Sequence, residues 1–330
     1  MKGDTLKLIA CLQAVGIFIS GALLSSNAIA VECGDTIYFS VTMNKNLDCE
    51  LSQTNPVALT IVGPTGNLDM NGNKITCSTQ TPNVTGLTAI VLQGSGGQVR
   101  NGILKNCIDG IAAEGQGYHQ ISNMEVINVI RNGIFLFSDS NTLKNTSVSG
   151  AAGSMDADGL EVLGNANTIS QCTFLGDGDE GIEIGGQFNT LTYSYVEGFS
   201  EDGLELDGSY ATISHNTFKN NGETGILING NFSTIGQNQS TGNGQVGIDI
   251  SGGSNNTISH NTVTHNGSTA SSEFGGIVVT DSDSSGNLIL GNIASENLQY
   301  DLIDLFDPTC SGTNIWLDNQ FGTANPDCLK

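Results

Sequence analysis

Five short phrases recur at one spacing through the middle of this chain: Asp158-Gly-Leu-Glu161-Val, Glu180-Gly-Ile-Glu183-Ile, Asp202-Gly-Leu-Glu205-Leu, Thr224-Gly-Ile-Leu227-Ile and Val246-Gly-Ile-Asp249-Ile. Their glycines fall at 159, 181, 203, 225 and 247, an unbroken 22-residue period. A second track keeps step with it at Asn167-Thr-Ile, Asn189-Thr-Leu, Ala211-Thr-Ile, Ser233-Thr-Ile and, one residue late, Asn256-Thr-Ile. A third follows at Thr173-Phe174, Tyr195-Val196, Thr217-Phe218 and Thr262-Val263. Self-similarity at a fixed short period marks a solenoid in which each repeat is one supersecondary unit. The phrases alternate apolar with polar residues over three to five positions, which suits half-buried strands and is too short for helices. Three strands per turn, joined by Gly and Asn bends, give a coil that buries its apolar edge only by stacking on the next through parallel pairing at roughly 4.8 Å. The expected fold is all-β, a parallel β-helix of about ten coils.

The period loosens outside this zone but survives at Asp109-Gly-Ile-Ala, Asn132-Gly-Ile-Phe135 and Gly275-Gly276-Ile-Val. The longer steps from Gly133 to Gly159 and from Gly247 to Gly276 place insertions near residues 151–156 and 265–273. Insertions in a solenoid are surface loops, often on a binding face. The ends are different. Lys2 and Lys7 precede an apolar run from Leu8 to Leu24, and Ala28-Ile29-Ala30 is a small-x-small cleavage signal before Val31. Residues 1–30 therefore read as an export signal, 31–56 as an N-terminal cap, 57–308 as the β-helix and 309–330 as a C-terminal cap. Nothing after the signal is long and apolar enough to span a bilayer.

A formal net charge of −23 makes nucleic acid and anionic membrane surfaces poor partners. The only arginines are Arg100 and Arg131. Export permits disulfides, and of the eight cysteines only Cys11 falls in the signal. Cys33 with Cys49 would staple one cap, Cys310 with Cys328 the other, and Cys77 with Cys107 two early coils, one connectivity among many. Cys172 shares a column with Thr146, Ser194, Asn216, Asn238 and Asn261, inward-turning bend residues, and reads as a buried structural thiol. His119 falls in the column of Asn167 and Asn189 and reads as a bend residue.

The Asn-Thr-Ile-Ser-x-Asn-Thr and x-Gly-Ile-x-Ile phrases resemble the right-handed parallel β-helix repeat of the pectate-lyase-like superfamily, over roughly residues 57–320. The ends, Cys33-Gly-Asp-Thr-Ile and Asn319-Gln-Phe-Gly-Thr-Ala-Asn-Pro-Asp-Cys328, look like those of secreted bacterial members. The resemblance implies a right-handed coil, a secreted, periplasmic or surface location and a polysaccharide or cell-surface glycan as partner. The fold hosts lyases, hydrolases, epimerases, adhesins and proteins without assigned activity, so it does not by itself name a reaction.

In Gly-Ile-Glu-Ile the isoleucines point inward and the residue between them outward. Glu161, Glu183 and Glu205 thus form an outward column, continued by Leu227 and Asp249. Beside it run Asp158, Glu180 and Asp202, then Asp179, Glu201 and Glu223, with Asp156, Asp177 and Asp207 at the fringe. Carboxylates stacked about 5 Å apart repel by roughly 3 kcal/mol at an effective dielectric of about 20. Three reliefs are open: a bound hard cation such as Ca2+ held by Glu161, Glu183, Glu205 and Asp207; protonated carboxyls of raised pKa, as general acids require; or plain solvation.

Asp156-Ala-Asp158-Gly followed by Asp179-Glu180-Gly is similar to the carboxylate pattern of polygalacturonase-type glycoside hydrolases. That resemblance implies Asp158, Asp179 and Glu180 as acid and base carboxylates of an inverting hydrolysis. Asp202 stands where that family has a histidine, and its Arg-Ile-Lys clamp has no counterpart near Ile235-Gly-Gln. Phe135 and Phe137 occupy the outward column one coil before Glu161, with Arg131 beside them, as a platform for a sugar ring or as a floor beneath the nearby insertion. The sequence thus leads to an exported, monomeric β-helix that recognises or acts on carbohydrate. Its rival is a noncatalytic surface or periplasmic binding protein.

Overall fold

One interior runs the length of the molecule, built by the alternation of short strands, and a small second cluster of Val246, Val278 and Ile303 lies apart from it. In the strand Ile182–Ile184 both isoleucines are fully buried and Glu183 is half-buried between them. The computed structural model describes residues 30–80, 86–150, 157–176, 178–267 and 274–329. Residues 1–29 of the expected signal, the insertion at 151–156 with Asp156, Asp177 and most of the insertion at 265–273 lie outside the described residues.

The first face of the solenoid is a parallel sheet of thirteen strands, from Asp35–Ile37 to Ala324–Asn325. Leu160–Val162 pairs with Ile182–Ile184, which pairs with Leu204–Leu206, then Ile226–Ile228, then Val246–Ile250. The other two faces carry the Asn-Thr-Ile phrases, such as Thr190–Thr192, and the third phrases, such as Tyr195–Glu197. The long strands Gln98–Lys105 and Gln120–Ile127 run through both of these faces and join them. The described residues hold strands, turns and bends and no helix, so none is long and apolar enough to cross a membrane.

The solenoid has about twelve turns where about ten were expected. The difference lies at the ends, where turns lack the glycine phrase. Asp35–Ile37, Ser40–Thr42 and Leu47–Leu51, inside the segment read as a cap, pair onto 59–61, 67–69 and 75–79 as a full turn. At the other end Ile315–Leu317 and Gln320–Phe321 pair onto the preceding turn.

The strand glycine has a steric cause. A Cβ at Gly181 would lie 2.2 Å from Val196 Cγ1 and 2.7 Å from the carbonyl of Gly203, so the strand crosses too close to the opposite wall for any side chain. At the bends buried polar side chains satisfy backbone groups left between turns. Asn238 Oδ1 accepts the backbone N–H of Asn216 at 2.9 Å, while its Nδ2 donates to the carbonyl of Ile213 at 2.9 Å. Asn261, Asn292 and Asn319 repeat the motif, and Ser194 serves Cys172 in the same way. Cys172 is the buried thiol of this column; burial pushes its pKa up to about 11. A parallel ladder on the preceding bend of each turn starts at His119. Its Nδ1 accepts the N–H of Gly97 and its Nε2 donates to the carbonyl of Glu114, so the ring is neutral, in keeping with a pKa lowered by burial. The three expected disulfides form, Cys33–Cys49, Cys77–Cys107 and Cys310–Cys328, with Cα separations of 5.6, 4.8 and 6.1 Å.

Candidate functional site

Parallel pairing puts every outward residue of the first sheet into one column along the axis. Phe135 stands opposite Glu161, Glu161 opposite Glu183, Glu183 opposite Glu205, and Glu205 opposite Leu227. Asp158, Glu161, Asp179, Glu180, Glu183, Glu201 and Glu205 together line a shallow cavity of about 580 Å³. Among the described residues that line it there is no basic side chain.

Two subgroups form within it. One ligand oxygen each from Asp158, Glu161 and Glu183 lie within 4.8 Å of one another, and the same holds for Asp179, Glu180 and Glu201. The structure therefore joins Glu161 and Glu183 to Asp158 rather than to Glu205 and Asp207. Glu205 lines the same cavity but stands outside both trios. Asp207 lies beyond the strand end, exposed, where Asn229 Nδ2 donates to its Oδ1 at 2.8 Å.

The column before the strand glycine runs beside the outward column, and within it Asp158 and Asp202 do not face solvent. Both are buried, at 3% and 6% exposure. This position is a bend, where alternation no longer sets the direction, and its side chain turns along the axis to meet the next turn's backbone. Asp202 Oδ1 accepts the N–H of Thr224 at 2.7 Å and Asp158 Oδ1 that of Glu180 at 3.4 Å. Asn132 does the same for Asp158 at 3.2 Å, and its Nδ2 donates to Glu161 Oε2 at 2.7 Å, which orients that carboxylate. Asp158 still reaches the cavity; Asp202 is not among the lining residues.

Crowding and burial act together on these groups. Glu161 is raised to about 7, first by burial and then by Glu183 and Asp158. Glu180 is raised well above the carboxylate range by burial, by its hydrogen bond with Asp158 and by the charges around it. Asp202 is raised to about 7 by burial. Glu201 and Glu205 move up for the same first reason, with neighbouring carboxylates adding to it. Burial and crowding thus both favour the protonated carboxyl over the carboxylate on this face, since two adjacent carboxylates at such spacing do not both ionise without compensation.

Phe135 and Phe137 stack on each other with centroids 4.5 Å apart and planes 7° from parallel. Phe137 is exposed and Phe135 borders Glu161. Arg131 makes a two-pronged ion pair with the buried Asp109, Nε to Oδ1 at 2.8 Å and Nη2 to Oδ2 at 2.6 Å, and lies 5.8 Å from the Phe135 ring centroid. Its guanidinium is anchored at the rim rather than extended into the cavity.

One set of residues escaped the sequence reading. Phe188, Tyr210 and Phe232 form an exposed stack on the bend that follows the acidic strands. The signal was present: each directly precedes a phrase of the second track, Asn189-Thr, Ala211-Thr and Ser233-Thr.

Sequence comparison matches the family of the right-handed β-helix region, at residues 109–263 and 202–325. The chain belongs to that family. Among solved structures this β-helix is similar to the A-module of the mannuronan C-5 epimerase AlgE4 of Azotobacter vinelandii, at 16% identity over 86% of each chain, with a TM-score of 0.67. The AlgE6 A-module of the same organism follows at 14% identity over 87% of this chain and 89% of that one, with a TM-score of 0.60. The Dettilon tailspike protein shares 15% identity over 86% of this chain and 52% of its own, with a TM-score of 0.51. At these identities the likeness is one of fold. A comparison with curated proteins gives no match.

Proposed function

We propose that this β-helix protein binds a uronate-bearing polysaccharide or cell-surface glycan on its acidic strand face, with a divalent cation of the Ca2+ type held between protein and sugar carboxylates. The observation that carries the reading is the cavity lined by seven carboxyl groups and no cation. Ca2+ takes six to eight oxygen ligands in all, from carboxylates, carbonyls and water, and a protein trio leaves room for uronate and water oxygens. Asp158, Glu161 and Glu183 are the trio that fits, with Glu205 and Asp207 as outlying acidic groups. When bound, the ion supplies charge neutralisation. The chain itself supplies the fixed placement of Glu161 by Asn132 and the sugar-stacking surface of Phe135 and Phe137 beside it. Solved neighbours that bear the name mannuronan C-5 epimerase support a carbohydrate partner. Three disulfides suit an oxidising compartment, in line with export of a monomer to the periplasm, the cell surface or the medium.

A specific feature favours a second, catalytic reading. Glu180 keeps its proton near neutral pH through burial and its bond with Asp158, as a general acid must, and Asp179 and Asp158 stand beside it as base candidates.

The test is binding of the purified protein to polyuronates and neutral glycans in millimolar Ca2+ and in chelator. Cation-dependent uronate binding that is lost in Glu161→Gln/Glu183→Gln is the expected result. Uronate binding equal in chelator and in that variant would refute the cation bridge, and binding to no glycan would refute the reading as a whole.

A further inference from the structure

The bend after the acidic strands has its own column: Tyr118, Ser140, Ala166, Phe188, Tyr210, Phe232 and Asn255. Each donates its backbone N–H to the residue just before the next member, as Ala166 does to Gln187 at 2.8 Å and Phe188 to Ser209 at 3.0 Å. All seven have φ between 55° and 59°, the left-handed region. That conformation suits Asn or Gly, and Asn255 is the ordinary choice; bulky rings there carry a backbone cost. The chain nonetheless places aromatic rings at three successive turns, and Phe188 remains 56% exposed, Tyr210 46% and Phe232 52%.

Ring centroids are 4.9 Å apart for Phe188 and Tyr210 and 5.2 Å for Tyr210 and Phe232, with planes within 13° of parallel. Those spacings match the rise between turns, about 4.8 Å, so the rings stack along the solenoid axis. Tyr210 has both faces covered by its neighbours. Phe188 does not, because the next position towards the N-terminus is Ala166, and the one beyond it is Ser140. The following ring, Tyr118, is three turns away from Phe188, or about 14 Å. Two small side chains thus floor a notch with the uncovered face of Phe188 as one wall.

We propose that this notch is a subsite that seats one pyranose ring of the bound glycan, stacked on the free face of Phe188. The inference rests on the glycan-binding reading of the acidic face and extends it. An apolar strip links the two places: Phe137 shares a turn with Ser140, and Leu163 lies between Glu161 and Ala166 in the same turn, each 46% exposed. The C–H face of a pyranose is the natural partner of an aromatic face, and hydroxyls at its edge need amides and carboxylates. Asn165, next to Ala166, offers its amide, which donates from Nδ2 to Asp139 Oδ1 at 3.1 Å, and the exposed Gln187 flanks Phe188. Asp139 is the charged group of this rim, so the seated ring is bound by stacking and hydroxyl contacts rather than through its own carboxylate.

Ala166→Phe tests the notch without opening a hole. The new ring takes the conformation of its neighbours, continues the stack and fills the slot, and the melting temperature of the variant is expected to be no lower than the parent's. Phe188→Ala removes the wall instead. Calorimetric titration with oligomannuronates of about two to about eight sugars, in Ca2+, reads the effect. Both variants should bind the long oligomers about three- to tenfold more weakly and the shortest ones unchanged, as expected for one aromatic stacking contact. Parent-like affinity of both variants at every length, with Glu161→Gln/Glu183→Gln still abolishing binding, would overturn the notch and leave the acidic site standing. Failure of the parent to bind any oligomer would overturn both.

Discussion

Glu161 and Glu183 stand directly opposite each other on hydrogen-bonded parallel strands, and a carboxylate oxygen of Asp158 lies within 4.8 Å of one from each. At that distance and an effective dielectric of about 20, each like-charged pair repels by about 3 kcal/mol. A fold that holds them there has its stability linked to whatever neutralises them.

Protons are the first such agent. Glu161 and Asp202 both have folded-state pKa values of about 7, above their ordinary values of 4.5 and 3.8. A raised folded-state pKa contributes stability in full below the ordinary value, and that contribution is lost as pH rises through the folded value. In chelator the melting temperature should therefore fall by a few degrees between pH 5 and pH 8. Glu161→Gln keeps an oxygen for Asn132 and should flatten that slope; a profile as steep as the parent's would refute the linkage.

Cations are the second. At pH 8 a divalent ion bound to the folded state alone, at about 100 times its dissociation constant, stabilises by about 2.7 kcal/mol. For a chain of this size that is a rise of about 4 °C in melting temperature. Glu161→Gln/Glu183→Gln should lose the Ca2+ response while remaining at least as stable as the parent in chelator. A parent melting temperature indifferent to millimolar Ca2+ would remove the site.

The buried ladders give a prediction independent of function. Asn238→Ala strands the N–H of Asn216 and the carbonyl of Ile213 inside the bend. Each orphaned group costs about 1–3 kcal/mol, so a loss of about 3 kcal/mol is expected in denaturant unfolding. Asn238→Ser should cost less, since Ser194 serves Cys172 in the same column at 3.2 Å. Equal losses for both variants would show that the ladder acts through packing volume instead.

Positions whose side-chain direction follows from strand alternation were legible, and positions on the bends were not. The interior places of Ile182, Ile184, Leu204 and Leu206 and the column of Glu161, Glu183 and Glu205 follow from alternation within a strand, which parallel stacking copies from turn to turn. The directions of Asp158 and Asp202 were not legible because they occupy a bend, where side-chain direction depends on local dihedrals. The turn at 35–51 was read as a cap because its strands carry no Gly-Ile phrase, although they pair in the same register. The stack of Phe188, Tyr210 and Phe232 had the right spacing, but its meaning depends on the left-handed backbone that lines the rings up. The grouping of Asp158 with Glu161 and Glu183, rather than Glu205, arises from Asp158's turn along the axis, which no residue pattern encodes.

Asp179 and Glu180 separate a binder from an enzyme. If Glu180 donates a proton to a glycosidic oxygen and Asp179 or Asp158 activates water, Glu180→Gln or Asp179→Asn should cut turnover by roughly 10²- to 10⁴-fold and leave glycan affinity within a few-fold, because the amides keep shape and lose proton transfer. The cavity lining holds seven acidic groups and no lysine, arginine, histidine or tyrosine to neutralise a uronate or abstract its ring proton. The binding reading expects cation-dependent binding without product: no new reducing ends, unsaturated sugars or epimerised residues on polyuronates in Ca2+, and an affinity that drops when Phe135 or Phe137 is replaced by Ala. Products formed by the parent and lost in Glu180→Gln would decide for the catalytic reading. Products that persist in Asp158→Asn/Asp179→Asn/Glu180→Gln would place the chemistry on other turns of the solenoid.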